Sequence, residues 1–348
     1  MNINDLDGER RRQFVDTTQT YEVWRIAHEA SKHRFAGSMR WVDRDGNQYL
    51  LRKTGKAETS LGSRSPATEA AYEAFVSGRK QNKERLDGLA KRLDDLAPVN
   101  RAMGIGRMPN TAARILRHCD DYGLLGEQLL VVGTNALFAY EALAGVQAQS
   151  GVLATGDIDL LYDARRHISF ALKAFRRTGL IGLLQEVDTS FAPVRPRAFR
   201  AVNKDGYLVD LIRPEAKDAF RDRLPAALSD LPDDLEGAAI FGLAWLINSP
   251  RVDAIAIDER GYPVRIVAID PRAFALHKLW LSSRPDREPI KKARDQEQAK
   301  VAAIIASRYL RRSFDSPDLE ALPNALRELA PKLTEFDEEK PKGGQPNW

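Results

Sequence analysis

The stretch Gly156-Asp157-Ile158-Asp159-Leu160-Leu161 constrains this chain more than any other. Residues Ile158 to Tyr162 read as a short apolar strand with acidic residues at its start. On a strand, residues i and i+2 share a face, so Asp157 and Asp159 present two carboxylates to one point in space. Two anions held this close repel each other unless a cation lies between them. Hard oxygen ligands of this kind suit Mg²⁺ or Mn²⁺, whose shell is completed by water and phosphate. The plain alternative is an acidic strand start left in solvent. The flanking Ile158, Leu160 and Leu161 argue for burial, which isolated surface carboxylates do not need.

Two further features stand in order around this strand. Upstream, the apolar run Gln128 to Val132 leads into Gly133-Thr134-Asn135 and a helical segment, Ala136 to Ala144. A glycine at such a junction lets backbone N–H groups approach a phosphate, the helix N-terminus adds partial positive charge, and Thr134 offers a hydroxyl. Strand–Gly–helix junctions are common, so this signal is weak alone. Downstream, Asp210 lies inside the apolar stretch Tyr207 to Ile212. A carboxylate there is costly unless paired or bound to metal. The segments Arg197 to Val202 and Tyr207 to Ile212 flank Lys204-Asp205-Gly206, a tight-hairpin signal that could set the Asp210 strand beside the Asp157 strand. Asp210 then supplies a third metal ligand and helps deprotonate an attacking hydroxyl. A carboxylate on the solvent face of an edge strand is its alternative.

The order Gly-[Ser/Thr], Asp-x-Asp, then a lone Asp on a later strand resembles the DNA-polymerase-β-like nucleotidyltransferase superfamily. The longer run VVGTNALFAYEA, TGDIDLLYD and GYLVDLIRP, with LGSRSPATEA upstream and LHKLWLSSR…KKARDQEQA downstream, is similar to a widespread bacterial family within it. The layout is also similar to AbiEii and MenT toxin nucleotidyltransferases, which carry a late Lys…Arg-Asp element. The resemblance implies an enzyme that moves NMP from an NTP to a hydroxyl acceptor and releases pyrophosphate. Asp157, Asp159 and Asp210 would be catalytic and hold Mg²⁺ or Mn²⁺, with Gly133, Thr134 and Asn135 on the nucleotide. It further implies that Lys278 contacts the triphosphate and that Arg294 or Asp295 positions the nucleotide or Lys278, with Arg284, Lys291 and Lys292 as helpers. A tRNA 3′ end and a cognate antitoxin are the partners that a toxin-like layout implies. Arg195, Arg197 and Arg200 are candidates for acceptor phosphate contact, or simply arginines on an exposed edge. A protein side chain, a small-molecule hydroxyl, the protein's own serine, and a catalytically inert binding module all stay open. One departure is visible: the stretch between Gly133 and Asp157 is longer than in compact superfamily members, and a loop over Gly145 to Thr155 must absorb it.

The expected fold is α+β, a mixed α/β chain. A nucleotidyltransferase-fold lobe with a small mixed sheet (98–225) is flanked by an N-terminal hairpin-plus-long-helix unit (1–97) and a mostly helical lobe (226–335), with a disordered tail over 336–348. In the first unit, Met39 to Lys53 form a hairpin about Asp45-Gly46-Asn47, Leu61 to Pro66 a loop, and Thr68 to Leu96 a long helix N-capped by Thr68. Helices are expected over Asn110 to Tyr122 and about His167 to Arg177, and a strand pair around Arg260-Gly261. The longest apolar run, Ala238 to Ile247, is about half the length that crosses a bilayer, so it reads as a buried core helix.

Composition excludes several classes. A hydrophobic fraction of 43% is that of a globular protein. The formal charge of +4 is compatible with a nucleic-acid partner without demanding one. Cys119 is the only cysteine, and the five histidines show no metal-ligand spacing, so neither an intramolecular disulfide nor a structural zinc site is expected. Residues Met1 to Arg12 lack the apolar core of a secretory signal, and a soluble, cytoplasmic protein is the expectation. Gly104-x-Gly106 is too short for a dinucleotide fingerprint, and Gly55-Lys56 lacks the upstream glycine of a P-loop.

Overall fold

A computed structural model describes residues 3–165, 175–195, 198–216 and 225–338. Most of the helix expected over His167 to Arg177, residue Arg197, and the tail beyond 338 lie outside the described residues. The chain is a mixed α+β protein that divides into two compact units.

The smaller unit spans Glu9–Ile105 with Arg260–Pro263. Helix α1 (Gly8–Lys32) has no apolar stripe to announce it, burying only Thr17, Tyr21 and Ala27. Strands β1 (Ser38–Arg44), β2 (Asn47–Thr54) and β3 (Ala57–Ser63) form an antiparallel sheet, the first two making the expected Asp-Gly hairpin. The strand β3 lies where part of a loop was expected, because its side chains are almost all exposed and carry no alternation. Helix α2 (Pro66–Ala102) starts before the expected Thr68. Ser65 is the N-cap, Pro66 takes the first helical position, and Thr68 closes a capping box by donating its backbone N–H to Ser65 Oγ and accepting from Ser65 N. The helix also runs past the expected end at Leu96, through Pro98, to Ala102. Gln13 and Thr17 of α1 meet Asn100 of α2, while Ala27 meets Asn82, so the two helices run antiparallel.

The larger unit holds the mixed sheet. Its elements are α3 (Asn110–Asp121), β4 (Leu129–Val132), α4 (Ala136–Ala144), β5 (Asp157–Tyr162), α5 (Phe175–Val187, kinked at Gly179), β6 (Ala192–Pro193), β7 (Arg200–Val202), β8 (Leu208–Pro214), β9 (Ala238–Ile240), α6 (Leu243–Ile247), β10 (Arg251–Ile257), β11 (Pro263–Ile269), α7 (Pro271–Ser283) and α8 (Pro289–Ile304). Among the described residues the sheet order is β10-β11-β4-β5-β8-β7-β6, with β9 added beside the end of β8. The central strand β4 is wholly buried and the amphipathic α3 buries Ala112, Ala113, Ile115, Leu116 and Cys119, as its spacing requires.

The run Ala238 to Ile247 corrects the sequence reading. It is not one buried helix: Ala238–Ile240 pairs in parallel with Ile212–Pro214, and only Leu243–Ile247 is helical. Gly242, at φ 90°, holds a left-handed conformation that ends one element and opens the next. Among the described residues, no helix is long and apolar enough to cross a membrane.

Candidate active site

Two adjacent strands carry the carboxylates and a third flanks them. The strands β5 and β8 run parallel with Asp159 directly beside Asp210, and β4 runs antiparallel to β5 with Val132 opposite Asp159. Asp157 and Asp159 share a face by strand pleating, so all three aspartates rise from one patch of the sheet. The opposite face carries Ile158, Leu160 and Val209, which are fully buried and anchor the strands in the core. Immediately after β4 the chain turns at Gly133, at φ 64°. A Cβ there would sit 2.1 Å from Asp159 Oδ2, so only glycine lets the backbone pass this close to the carboxylate.

The site concentrates negative charge. Burial, then the neighbouring Asp157 and Asp210, push the Asp159 carboxyl up to about 7, while Lys278 and Arg200 act in the opposite direction. Asp157 accepts a hydrogen bond from the Thr155 hydroxyl, and its backbone carbonyl accepts one from Asn135 Nδ2 at 2.8 Å. Buried Asp210 is gripped by Arg200 across the β7–β8 pair, with Nε donating at 2.6 Å and Nη2 at 2.5 Å. The Asn135 Oδ1 and the Tyr207 hydroxyl are buried without a hydrogen-bond partner. Burial, Asp157 and Asp159 all raise the Tyr207 phenol, which therefore lies within the field of those carboxylates.

A second layer comes from α7 and α8. Lys278 Nζ donates to Asp295 Oδ1 at 2.8 Å, and Arg287 Nε to Asp295 Oδ2 at 2.7 Å. Burial lowers the Lys278 ammonium, and Asp295 and Asp159 counter it, so the lysine lies within reach of the carboxylate patch. Arg294 Nη2 donates to Thr134 Oγ1 and to the Ala154 carbonyl, both at 2.8 Å. Gln298 Nε2 donates to the same hydroxyl at 3.0 Å and to the Val152 carbonyl at 3.1 Å. The long segment between Gly133 and Asp157, which includes a short helix over Ser150–Leu153, is thus tied to α8. With two donors on its oxygen, the Thr134 hydroxyl is left with its own proton to donate.

The structure therefore brings Gly133, Thr134, Asn135, Asp157, Asp159, Arg200, Asp210, Lys278, Arg294 and Asp295 into one connected network. Arg195 stands apart, in an exposed pair with Asp233 at 2.7 Å. Arg284 pairs with Asp286 and stacks 5.0 Å from the Trp280 ring, and Lys291 pairs with Glu288. Sequence reasoning missed Tyr207, Arg287 and Gln298. Their residue types are unremarkable at their positions, and only packing aims them at the site.

Among the described residues, no group of three or more His, Cys, Asp or Glu side chains is gathered closely enough to be a ready-made metal cage. The donor set nevertheless fits a hard divalent cation. Three carboxylates share one patch, and burial and then their mutual repulsion raise the Asp159 carboxyl. The buried Oδ1 of Asn135, whose amide nitrogen donates to the Asp157 backbone carbonyl, has no hydrogen-bond partner.

A mixed sheet presenting paired aspartates beside a strand–glycine–helix turn defines a nucleotidyltransferase-type α+β protein. A family model described as nucleotidyltransferase matches residues 110–323, and the chain belongs to that family. The matched stretch contains every member of the network above. No curated protein and no solved structure matches the chain.

Proposed function

We propose that this protein is a divalent-metal-dependent enzyme that transfers an NMP from an NTP to a hydroxyl acceptor, with a tRNA 3′ end as the acceptor class. The observation that carries the reading is the parallel register that sets Asp210 beside Asp159, with Asp157 on the same face. Asp157, Asp159 and Asp210 would hold Mg²⁺ or Mn²⁺. Bound there, the metal supplies positive charge for the phosphates and acidifies the attacking hydroxyl.

The chain's own groups account for the rest. The Gly133 and Thr134 amides and the Thr134 hydroxyl proton face the phosphates, at a turn leading into a helix. Lys278 spends one of its three N–H donors on Asp295 and keeps two for the triphosphate. The acceptor oxygen attacks the α-phosphorus and its proton passes to the Asp210 carboxylate. The α–β bridging P–O bond breaks, and pyrophosphate leaves against Lys278. Asp295, itself held by Arg287, keeps the lysine charged and aimed, although burial and the nearby Arg287 act to neutralise it.

Incubation with α-labelled ATP, CTP, GTP or UTP, Mg²⁺ and total tRNA tests this directly. Label on the tRNA 3′ end, abolished by Asp159→Asn, is the expected result. Label on protein in place of RNA reassigns the acceptor, and no transfer to either refutes the enzyme reading.

A further inference from the structure

Arg200 faces Asp210 as its cross-strand partner, and its guanidinium is committed to one carboxylate: Nε to Oδ1 at 2.6 Å and Nη2 to Oδ2 at 2.5 Å. A two-pronged, charge-assisted pair of this kind occupies the lone pairs that a divalent cation needs. The two partners differ in freedom. The Asp210 side chain is only 10% exposed, while 28% of the Arg200 side chain is open to solvent. The arginine, not the aspartate, has somewhere to go. Its guanidinium also lies 5.6 Å from the Phe199 ring, a surface on which it can rest. The field of Asp157 and Asp159 adds to the hold on the guanidinium.

We propose that Arg200 is a stand-in cation for the site, holding Asp210 until a divalent metal displaces it from the same carboxylate oxygens. The inference rests on the reading of Asp157, Asp159 and Asp210 as metal ligands. Metal arriving alone must evict the arginine and leave it without an anion. Metal arriving with a phosphate-bearing substrate gives the freed guanidinium, tethered one strand away, a new anion to bind. Metal and substrate then favour each other's binding, and the site loads fully only when both are present. Arg200 is thus a positioning residue acting through Asp210. A residue that merely touched the acceptor would leave the affinity for metal unchanged.

The test is Mn²⁺ binding to the full chain in the absence of nucleotide, read from the electron paramagnetic resonance signal of free Mn²⁺. Wild type is compared with Arg200→Gln and Arg200→Lys, with far-UV circular dichroism confirming the fold. Arg200→Gln is expected to bind Mn²⁺ about tenfold more tightly. Arg200→Lys keeps the charge but loses the fork, and is expected to bind about threefold more tightly. Equal or weaker binding by Arg200→Gln, with wild type still binding, overturns the proposal and leaves the metal reading intact. A gain in Arg200→Gln with Arg200→Lys identical to wild type reduces Arg200 to a general charge effect and also overturns it. No Mn²⁺ binding by any of the three overturns the metal reading and the proposal together. Should Arg200→Gln fail to fold, Arg200→Lys decides between tighter binding and none.

Discussion

Asp159 is the residue where the charge of the site can be measured as stability. In the metal-free protein its carboxyl is pushed up to about 7 by burial, Asp157 and Asp210. The folded state therefore keeps a proton that the unfolded chain releases between about pH 4 and pH 7. Below that window there is no penalty, and stability falls as pH rises through it until the full cost of an ionised Asp159 is present above pH 7. At about 1.4 kcal/mol per tenfold change in proton affinity, the displacement has a ceiling of about 4 kcal/mol. Asp159 is partly exposed, and solvent screening and side-chain relaxation lower the expected effect to about 1–2 kcal/mol. Asp159→Asn cannot ionise. In urea unfolding with EDTA present, the variant should match wild type near pH 4.5 and exceed it by about 1–2 kcal/mol at pH 8. Glu141, also pushed up to about 7 by burial, titrates in the same window but cancels because both proteins carry it. On the proposed metal-ligand reading, saturating Mg²⁺ should reverse the order at pH 8, since only wild type would keep all three carboxylates. A stability difference that is independent of pH, or a less stable variant at pH 8 in EDTA, would refute the reasoning.

Two further predictions follow from neighbouring geometry. Gly133→Ala places a Cβ 2.1 Å from Asp159 Oδ2 on a backbone at φ 64°, so Asp159 must move. A stability loss of about 1–3 kcal/mol and at least a hundredfold fall in transfer rate are expected from unfolding curves and single-turnover assays. His277, buried against the Trp245 and Trp280 rings, is pushed down to about 3, first by burial and then by Lys278 and Arg287, with Asp295 opposing. The unfolded chain then binds a proton below about pH 6.5 that the folded one refuses, so stability is lost on acidification. His277→Gln should remove about 2 kcal/mol of the acid sensitivity seen between pH 6.5 and pH 4.5 in wild type, and an unchanged profile would reject the assignment.

Much of the site was legible because it is local. Period-two geometry alone put Asp157 and Asp159 on one face, and the junction at Gly133-Thr134 was recognisable from a buried strand meeting a helix. The Asp205-Gly206 turn announced the β7–β8 hairpin in the same way, with Gly206 at φ 79°. The misreadings have equally local causes. An apolar run such as Ala238 to Ile247 satisfies a strand, a helix or both, and only the left-handed Gly242 and the pairing partner on β8 separate them. The strand β3 exposes nearly every side chain and so leaves no pattern to read.

What the sequence alone determined, then, is the identity and facing of the charged groups within each element, because covalent geometry repeats every two residues along a strand. What tertiary structure decided is their company. Asp210 and Asp159 are neighbours only because β5 and β8 pair in parallel at one register, and a slip of a single residue would have turned Asp210 to the opposite face of the sheet. The grip of Arg200 on Asp210 and the Lys278–Asp295–Arg287 cluster likewise form only between paired elements, and the hold of Arg294 and Gln298 on Thr134 joins elements far apart in the chain. Their energies depend on distance and desolvation, and only the packed fold sets either.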